Sequence, residues 1–400
     1  MKRLIRFLLT RLGFYKYRQI VRISNMPSLL KKRIPGNFVC THVSSFNYGN
    51  TGDLYLPVIL RDLFNAKIGI CKWYGKHVHK IVTDEDLRTY NRSDFVLIGG
   101  GGLFLKDTNP NDLSGWQWSC DIEHLKRIKK PIIMFAVGYN RFRGQEDFDP
   151  IFKEHINLFV EKAEFIGLRN HGSIESIKSY LDNFELKKKL VFQPCMTTLT
   201  SCIYPYLEKY DKKENCIAFN CAFDRSELRK NNEKILEAIA KVALALSKDT
   251  KIRYYSHVIS DEQILPYFDA IGVKYELVHF HNVRDIVREY TKPRLVIGMR
   301  GHAQMIPFGC NTPILSIISH DKMKWFLDDI HHPEWGVDVL EPNFEELLLQ
   351  KAKKLYMETD SLFPILVKEQ QYLNEITIDN IAKIRTIINT SVNFYRKIKS

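Results

Sequence analysis

The chain has 400 residues, 45% of them hydrophobic, which is more than one ordinary core uses and enough for two domains. Its 8 cysteines follow no metal-ligand or disulfide spacing, so a reducing, cytoplasmic setting without disulfides is expected. The net charge of +13 is gathered at the start, with ten Lys/Arg and no acid in residues 1–37; the mildly basic remainder argues against nucleic acid as a partner.

In residues 1–35, a basic amphipathic segment, Leu4, Ile5, Leu8, Leu9, Leu12 and Tyr15 recur at three- and four-residue steps and share one helix face among arginines. Two readings fit: a helix lying on an anionic membrane surface, or one docked on the protein. Arg6 and Arg11 interrupt the apolar run, and no small-residue cleavage site follows, which excludes a secretory signal. No window reaches the ~18 apolar residues of a membrane span.

Residues 36–205 alternate strand and helix. "NFVCTHV" reads as a strand, "FNYGNTGD" as a loop and "LYLPVILRDLF" as a helix; "KIGIC" is strand-like, and "SDFVLIGGGGLF" is a strand followed by a glycine loop. "PIIMFAVGYN", "EFIGLRN" and "KLVFQPC" are further strands, separated by the helices "FKEHINLFVEKA" and "HGSIESIKSYL". Strands of continuous apolar character between helices predict a parallel sheet covered on both faces. After the polar linker "YPYLEKYDKKEN" the pattern restarts over 206–340, with strands "CIAFNCA", "KIRYYSHV", "KYELVHF", "RLVIGMR" and "PILSII". Residues 341–400 read as amphipathic helices. The expected fold is α/β: two Rossmann-like domains facing a cleft, GT-B-like, with the C-terminal helices packing back across them.

Ligands of such sheets lie beyond the carboxyl ends of the strands. The glycines at 99–102 could bring amides to an anion before a helix terminus, or could form a plain tight turn; they match neither the dinucleotide nor the Walker pattern. Arg169 ends "EFIGLR" and Arg300 ends "RLVIGMR", one in each domain, so the two would meet across the cleft. Either could be merely solvated; together they suit a small ligand carrying carboxylate and phosphate. The pairs His77/His79, His279/His281 and His331/His332 lack a nearby third ligand, and no metal is expected.

In order, "NYGNTGD" (47–53), "LIGGGGLF" (97–104), "FIGLRNHGS" (165–173), "QPCMTTL" (193–199) and "VIGMRGHAQMIPFGCNTPILSI" (296–317) resemble the polysaccharide pyruvyl transferase family over about residues 40–330. Where that family has Arg-Asp and Asp-Pro-Ala, this chain has Arg169-Asn170 and Gln193-Pro194-Cys195. The resemblance implies transfer of the enolpyruvyl unit of phosphoenolpyruvate to two hydroxyls of a sugar in a surface polysaccharide or its lipid-linked precursor. The product is a cyclic ketal and phosphate, and no cofactor is needed. It places Asn47, Gly100, Gly101, Arg169, Arg300, Gly301 and Lys322 at the substrates. Lys322 stands there as a phosphate contact or an ordinary surface lysine. His302 stands as proton donor or as an anchor for phosphate, and Asp53 as base and hydroxyl ligand or as a helix-start residue. Two rivals are a nucleotide-sugar glycosyltransferase of the same plan and a noncatalytic scaffold of a glycan assembly complex.

Overall fold

The computed structural model describes residues 22–32, 35–206 and 213–399, so the apolar face of residues 4–15 lies outside the described residues. The first sheet holds β1 (Phe38–Ser44), β2 (Ile70–His77), β3 (Phe95–Phe104), β4 (Ile132–Tyr139), β5 (Phe165–Leu168) and β6 (Leu190–Phe192), in the order β2-β1-β3-β4-β5-β6. The second holds β7 (Glu214–Asn220), β8 (Lys251–Ser256), β9 (Tyr275–His279), β10 (Pro293–Gly298), β11 (Ile314–Ile318) and β12 (Gly336–Asp338), in the order β12-β11-β10-β7-β8-β9. Every pairing is parallel. These are two Rossmann-like domains in a GT-B-like arrangement. Strand order reverses between β1 and β3 in the first and between β7 and β10 in the second, and such reversals open a crevice at the strand ends.

The apolar runs explain the central strands: β4 is buried along its whole length. Two local readings change. β2 extends through "ICKWYGKH", whose exposed Cys71 and Lys72 suit a sheet edge that sequence patterning marks poorly. The glycine run is no loop. β3 continues to Phe104, with Gly100 and Gly101 at φ +77° and +98°, and the pairing with β4 slips after Gly101. No helix follows, so the run has no helix terminus to offer an anion. Gly100 packs instead on the helix Thr51–Lys67, where a Cβ would lie 2.8 Å from Leu56 Cγ. Gly101 borders the cleft.

The helices Phe344–Met357 and Thr359–Lys399 form as expected. The second spans both domains: Asn380 donates to the Phe192 carbonyl at the edge of the first sheet, and Gln370 donates to Asn311 in the second domain. Among the described residues, no helix is long and apolar enough to cross a membrane.

Candidate active site

The loop after β1 enters the helix Thr51–Lys67 through Asn50, whose side chain accepts from the amides of Gly52 and Asp53. Asn50 therefore does the capping, and the Asp53 carboxylate lines the cleft, accepting one hydrogen bond from Ser45 Oγ at 3.1 Å. Burial raises its pKa to about 6, against the Ser45 hydrogen bond and the attraction of Arg300 and Lys322. Asn47 is an exposed residue of the cleft rim, its side-chain oxygen held by the Gly49 amide. Thr51 N donates to the His257 carbonyl of the other domain at 3.1 Å. The His302 ring lies over Gly52, where a Cβ would come within 2.1 Å of Nδ1.

Arg169 directly follows β5, its amide held by the Val137 carbonyl. Its side chain is only 5% exposed, and its one hydrogen bond is a long contact of 3.4 Å to Asn140 Oδ1. Nε has no partner, and among the described residues no carboxylate pairs with the guanidinium. Burial pulls its pKa below the ordinary value. Asn170 turns away to cap the helix His171–Lys178, accepting from Ser173 N at 2.7 Å.

Arg300 borders the cleft too, but its fork is occupied. Nε lies 2.8 Å from both oxygens of Asp261, Nη2 lies 2.5 Å from Asp261 Oδ1, and Nη1 bonds Asp224. Burial works against its charge, yet these two carboxylates hold its pKa above the ordinary value. The two arginines are therefore not equivalent: Arg169 lacks a counter-charge, whereas Arg300 has two. Gly301 and His302 follow in the cleft wall. Burial, then Arg169, Lys322 and Arg300, push the His302 pKa down to about 3, so with these neighbours alone the ring is neutral. That removes the resident imidazolium expected of a proton donor near neutral pH.

Lys322, near the start of the helix Asp321–Asp329, has no hydrogen bond or ion pair among the described residues and lies 5.4 Å from the Phe142 ring centroid. Burial and Arg169 lower its pKa to about 7, with Asp224 partly offsetting them. His320 stacks on Phe142 at 4.6 Å, and its Nε2 has no partner. All these groups border one cavity of about 400 Å³. A hollow of about 570 Å³ beside Asn215 and Tyr275 lies at the opposite strand ends and holds no orphaned polar atom, so size alone does not mark the site.

Sequence reasoning missed Asp224 and Asp261. Asp224 lies four residues beyond β7, a placement that could have flagged it. It also missed the loop after β4. There Arg143 pairs with Asp321 at 2.9 Å and Asp338 at 2.7 Å across the cleft, joined by a second crossing from Asp107 to Arg225.

The family model for polysaccharide pyruvyl transferase matches residues 20–321. The chain belongs to this family. No curated protein matches it in sequence. Among solved structures it is similar to HepE from Anabaena in complex with UDP and glucose, with a TM-score of 0.52 and 10% identity over 89% of this chain and 100% of that one. A Listeria monocytogenes protein assigned as a UDP-N-acetylglucosamine 2-epimerase gives a TM-score of 0.51 and 13% identity over 83% of this chain and 91% of the other. At such identities the likeness concerns the fold alone.

The transferase's unusual residues sit away from the reacting space or behind it. Gln193 is buried against the C-terminal helix, donating to Thr377 Oγ1 and accepting from Asn380. Cys195 Sγ lies 3.8 Å from His302 Nε2 and backs that ring. The acids left at the cleft are Asp53 and Asp224. Among the described residues no group of three His, Cys, Asp or Glu could hold a metal ion. His77 and His79 face each other at 4.8 Å, while His331 and His332 meet Glu369 and Glu334.

Proposed function

We propose that the protein forms a cyclic pyruvate ketal on a sugar of a surface polysaccharide or its lipid-linked precursor, using phosphoenolpyruvate and releasing phosphate. The observation that carries this reading is the buried Arg169, whose Nε has no partner, beside Lys322, which makes no ion pair among the described residues. A buried cation is costly unless an anion completes it. A compact donor carrying both carboxylate and phosphate suits two such cations, with the orphaned His320 Nε2 as a further contact.

Burial first, and then the cleft cations, keep His302 neutral; the bound donor counters the cations, and in this cycle the ring takes up a proton with the substrate and delivers it to the methylene carbon of the donor. C2 becomes oxocarbenium-like. The first sugar hydroxyl adds there and passes its proton to Asp53, whose pKa of about 6 suits a base. Phosphate leaves with the electrons of its C–O bond, and the second hydroxyl closes the ring. Of the two hydroxyl protons, one balances the new methyl group and the other leaves on phosphate.

Incubation with labelled phosphoenolpyruvate and lipid-linked glycans should transfer label to the acceptor and release one phosphate per ketal. Turnover of a nucleotide sugar in its place would overturn the reading. We also propose that the protein works at the cytoplasmic face, held to anionic lipid by the basic segment of residues 1–35.

A further inference from the structure

Hydrogen bonds leading away from Arg169 run along a wall rich in side-chain amides. Asn140, which Arg169 touches, donates from Nδ2 to the Gly102 carbonyl at 3.2 Å; Gln117 Nε2 donates to the same oxygen at 2.9 Å, and Gln117 Oε1 faces His79 Nε2 at 2.5 Å. These groups border the cleft together with Asn47 and Asp53. A side-chain amide carries two hydrogens. Asn140 and Gln117 each use one on Gly102, which leaves one each, and Asn47 commits only its oxygen, to Gly49. The wall thus offers N–H groups to hydroxyl oxygens, while Asp53 stands ready to accept a hydroxyl hydrogen. Beyond Arg169 the chain of bonds contains no lysine or arginine; of the cleft cations on the second domain, Arg225 and Arg300 already hold Asp107, Asp224 and Asp261, and Arg229 is tied to Asn232 and the Ala222 carbonyl.

We infer that this wall is the acceptor subsite, that it takes an uncharged hexose, and that Gln117 and Asn47 position the hydroxyl pair at Asp53. The role of Asp53 rests on the pyruvyl-transfer reading; sugar binding by the wall does not. An acidic sugar would bring a carboxylate to a wall that, among the described residues, presents amides and no lysine or arginine.

The test uses the full chain with the methyl glycosides of glucose, galactose and mannose as probes, read by saturation-transfer NMR, and reads phosphoenolpyruvate affinity separately by calorimetry. At least one hexoside should receive saturation from the wild type. Asn47→Ala and Gln117→Ala should weaken its binding at least tenfold, with phosphoenolpyruvate affinity within about twofold of wild type. Asn47 is exposed in a turn, so its variant keeps the test intact if Gln117→Ala fails to fold. Absence of transfer to all three hexosides, or unchanged hexoside binding in Asn47→Ala, overturns the inference. If the wild type binds a hexoside but not phosphoenolpyruvate, the pyruvyl-transfer reading fails and the sugar subsite stands.

Discussion

Replacing Arg169 with methionine should move stability and donor binding in opposite directions. The side chain is buried, its Nε is unsatisfied, and no carboxylate lies against it among the described residues. An unsatisfied buried polar group costs about 1–3 kcal/mol, and more when charged. An apolar side chain of similar length lifts that cost and leaves only the weak 3.4 Å bond to Asn140 unmade. For a domain of this size each kcal/mol corresponds to roughly 2–4 °C, so Arg169→Met should melt about 3–10 °C higher than wild type without ligand. Donor binding should suffer, because removing one partner of a buried charged pair typically costs about 3–5 kcal/mol, or roughly 10²- to 10⁴-fold in phosphoenolpyruvate affinity. Scanning calorimetry with and without phosphoenolpyruvate reads both effects: the ligand-induced rise in Tm seen in the wild type should vanish. A variant that melts lower than wild type and still binds phosphoenolpyruvate within threefold would show that Arg169 is a packing residue.

The carboxyl of Asp53 is raised from 3.8 to about 6, so between those values the folded chain holds a proton more tightly than the unfolded one and stability falls as pH rises. Asp53→Asn should therefore gain on the order of 2–3 kcal/mol over wild type between pH 4 and pH 7.5 in urea unfolding, and should lose the ionisation near pH 6 from its pH–rate profile. Lys322, at about 7, is largely neutral at pH 8, and an anion beside it should restore its proton. Calorimetry in buffers of different ionisation enthalpy should show proton uptake on phosphoenolpyruvate binding at pH 8, shared by Lys322 and His302, and Lys322→Met should remove the Lys322 share. Deleting residues 1–21 removes six Lys/Arg, each contributing up to about 1 kcal/mol at an anionic surface, and leaves the contacts of Ser28 and Leu29 with Asp62 in place. The truncated protein should leave phosphatidylserine vesicles yet keep its turnover of a soluble acceptor; retained vesicle binding would assign that segment to packing.

Much of the scaffold was legible because parallel strands buried on both faces are spelled as unbroken apolar runs, as in "PIIMFAVGYN" and "RLVIGMR". Their ends place Asp53, Arg169, Arg300, His302 and Lys322 around one cleft, as the order of motifs implied. The glycine run misled because a loop and a strand kinked by positive-φ glycines share the same local spelling. Arg300 misled for a different reason: its partners Asp224 and Asp261 lie 76 and 39 residues earlier, and only the packing of two loops beside β10 shows that its fork is taken. The neutrality of His302 likewise depends on burial, and then on cations, that other segments bring to it.

The contrast between the two arginines bears on how the cleft works. Arg300 is held by Asp224 and Asp261 without any ligand, and these carboxylates moderate the positive field of the cleft. Arg169 and Lys322 have no such partners among the described residues, so a bound anion would relieve the cost of their charges, and under the pyruvyl-transfer reading part of the donor's binding free energy would come from that relief. The ties that cross the cleft, Arg143 to Asp321 and Asp338 and Arg225 to Asp107, are partly exposed, and such pairs are each worth about 0–1 kcal/mol. Separating them to admit a substrate costs little beside what Arg169 gains from an anion. Those peripheral ties also shape the cavity: Arg225 lies 4.6 Å from the Phe142 ring centroid, and Phe142 stacks on His320 and reaches Lys322, roofing the place where the cations lie.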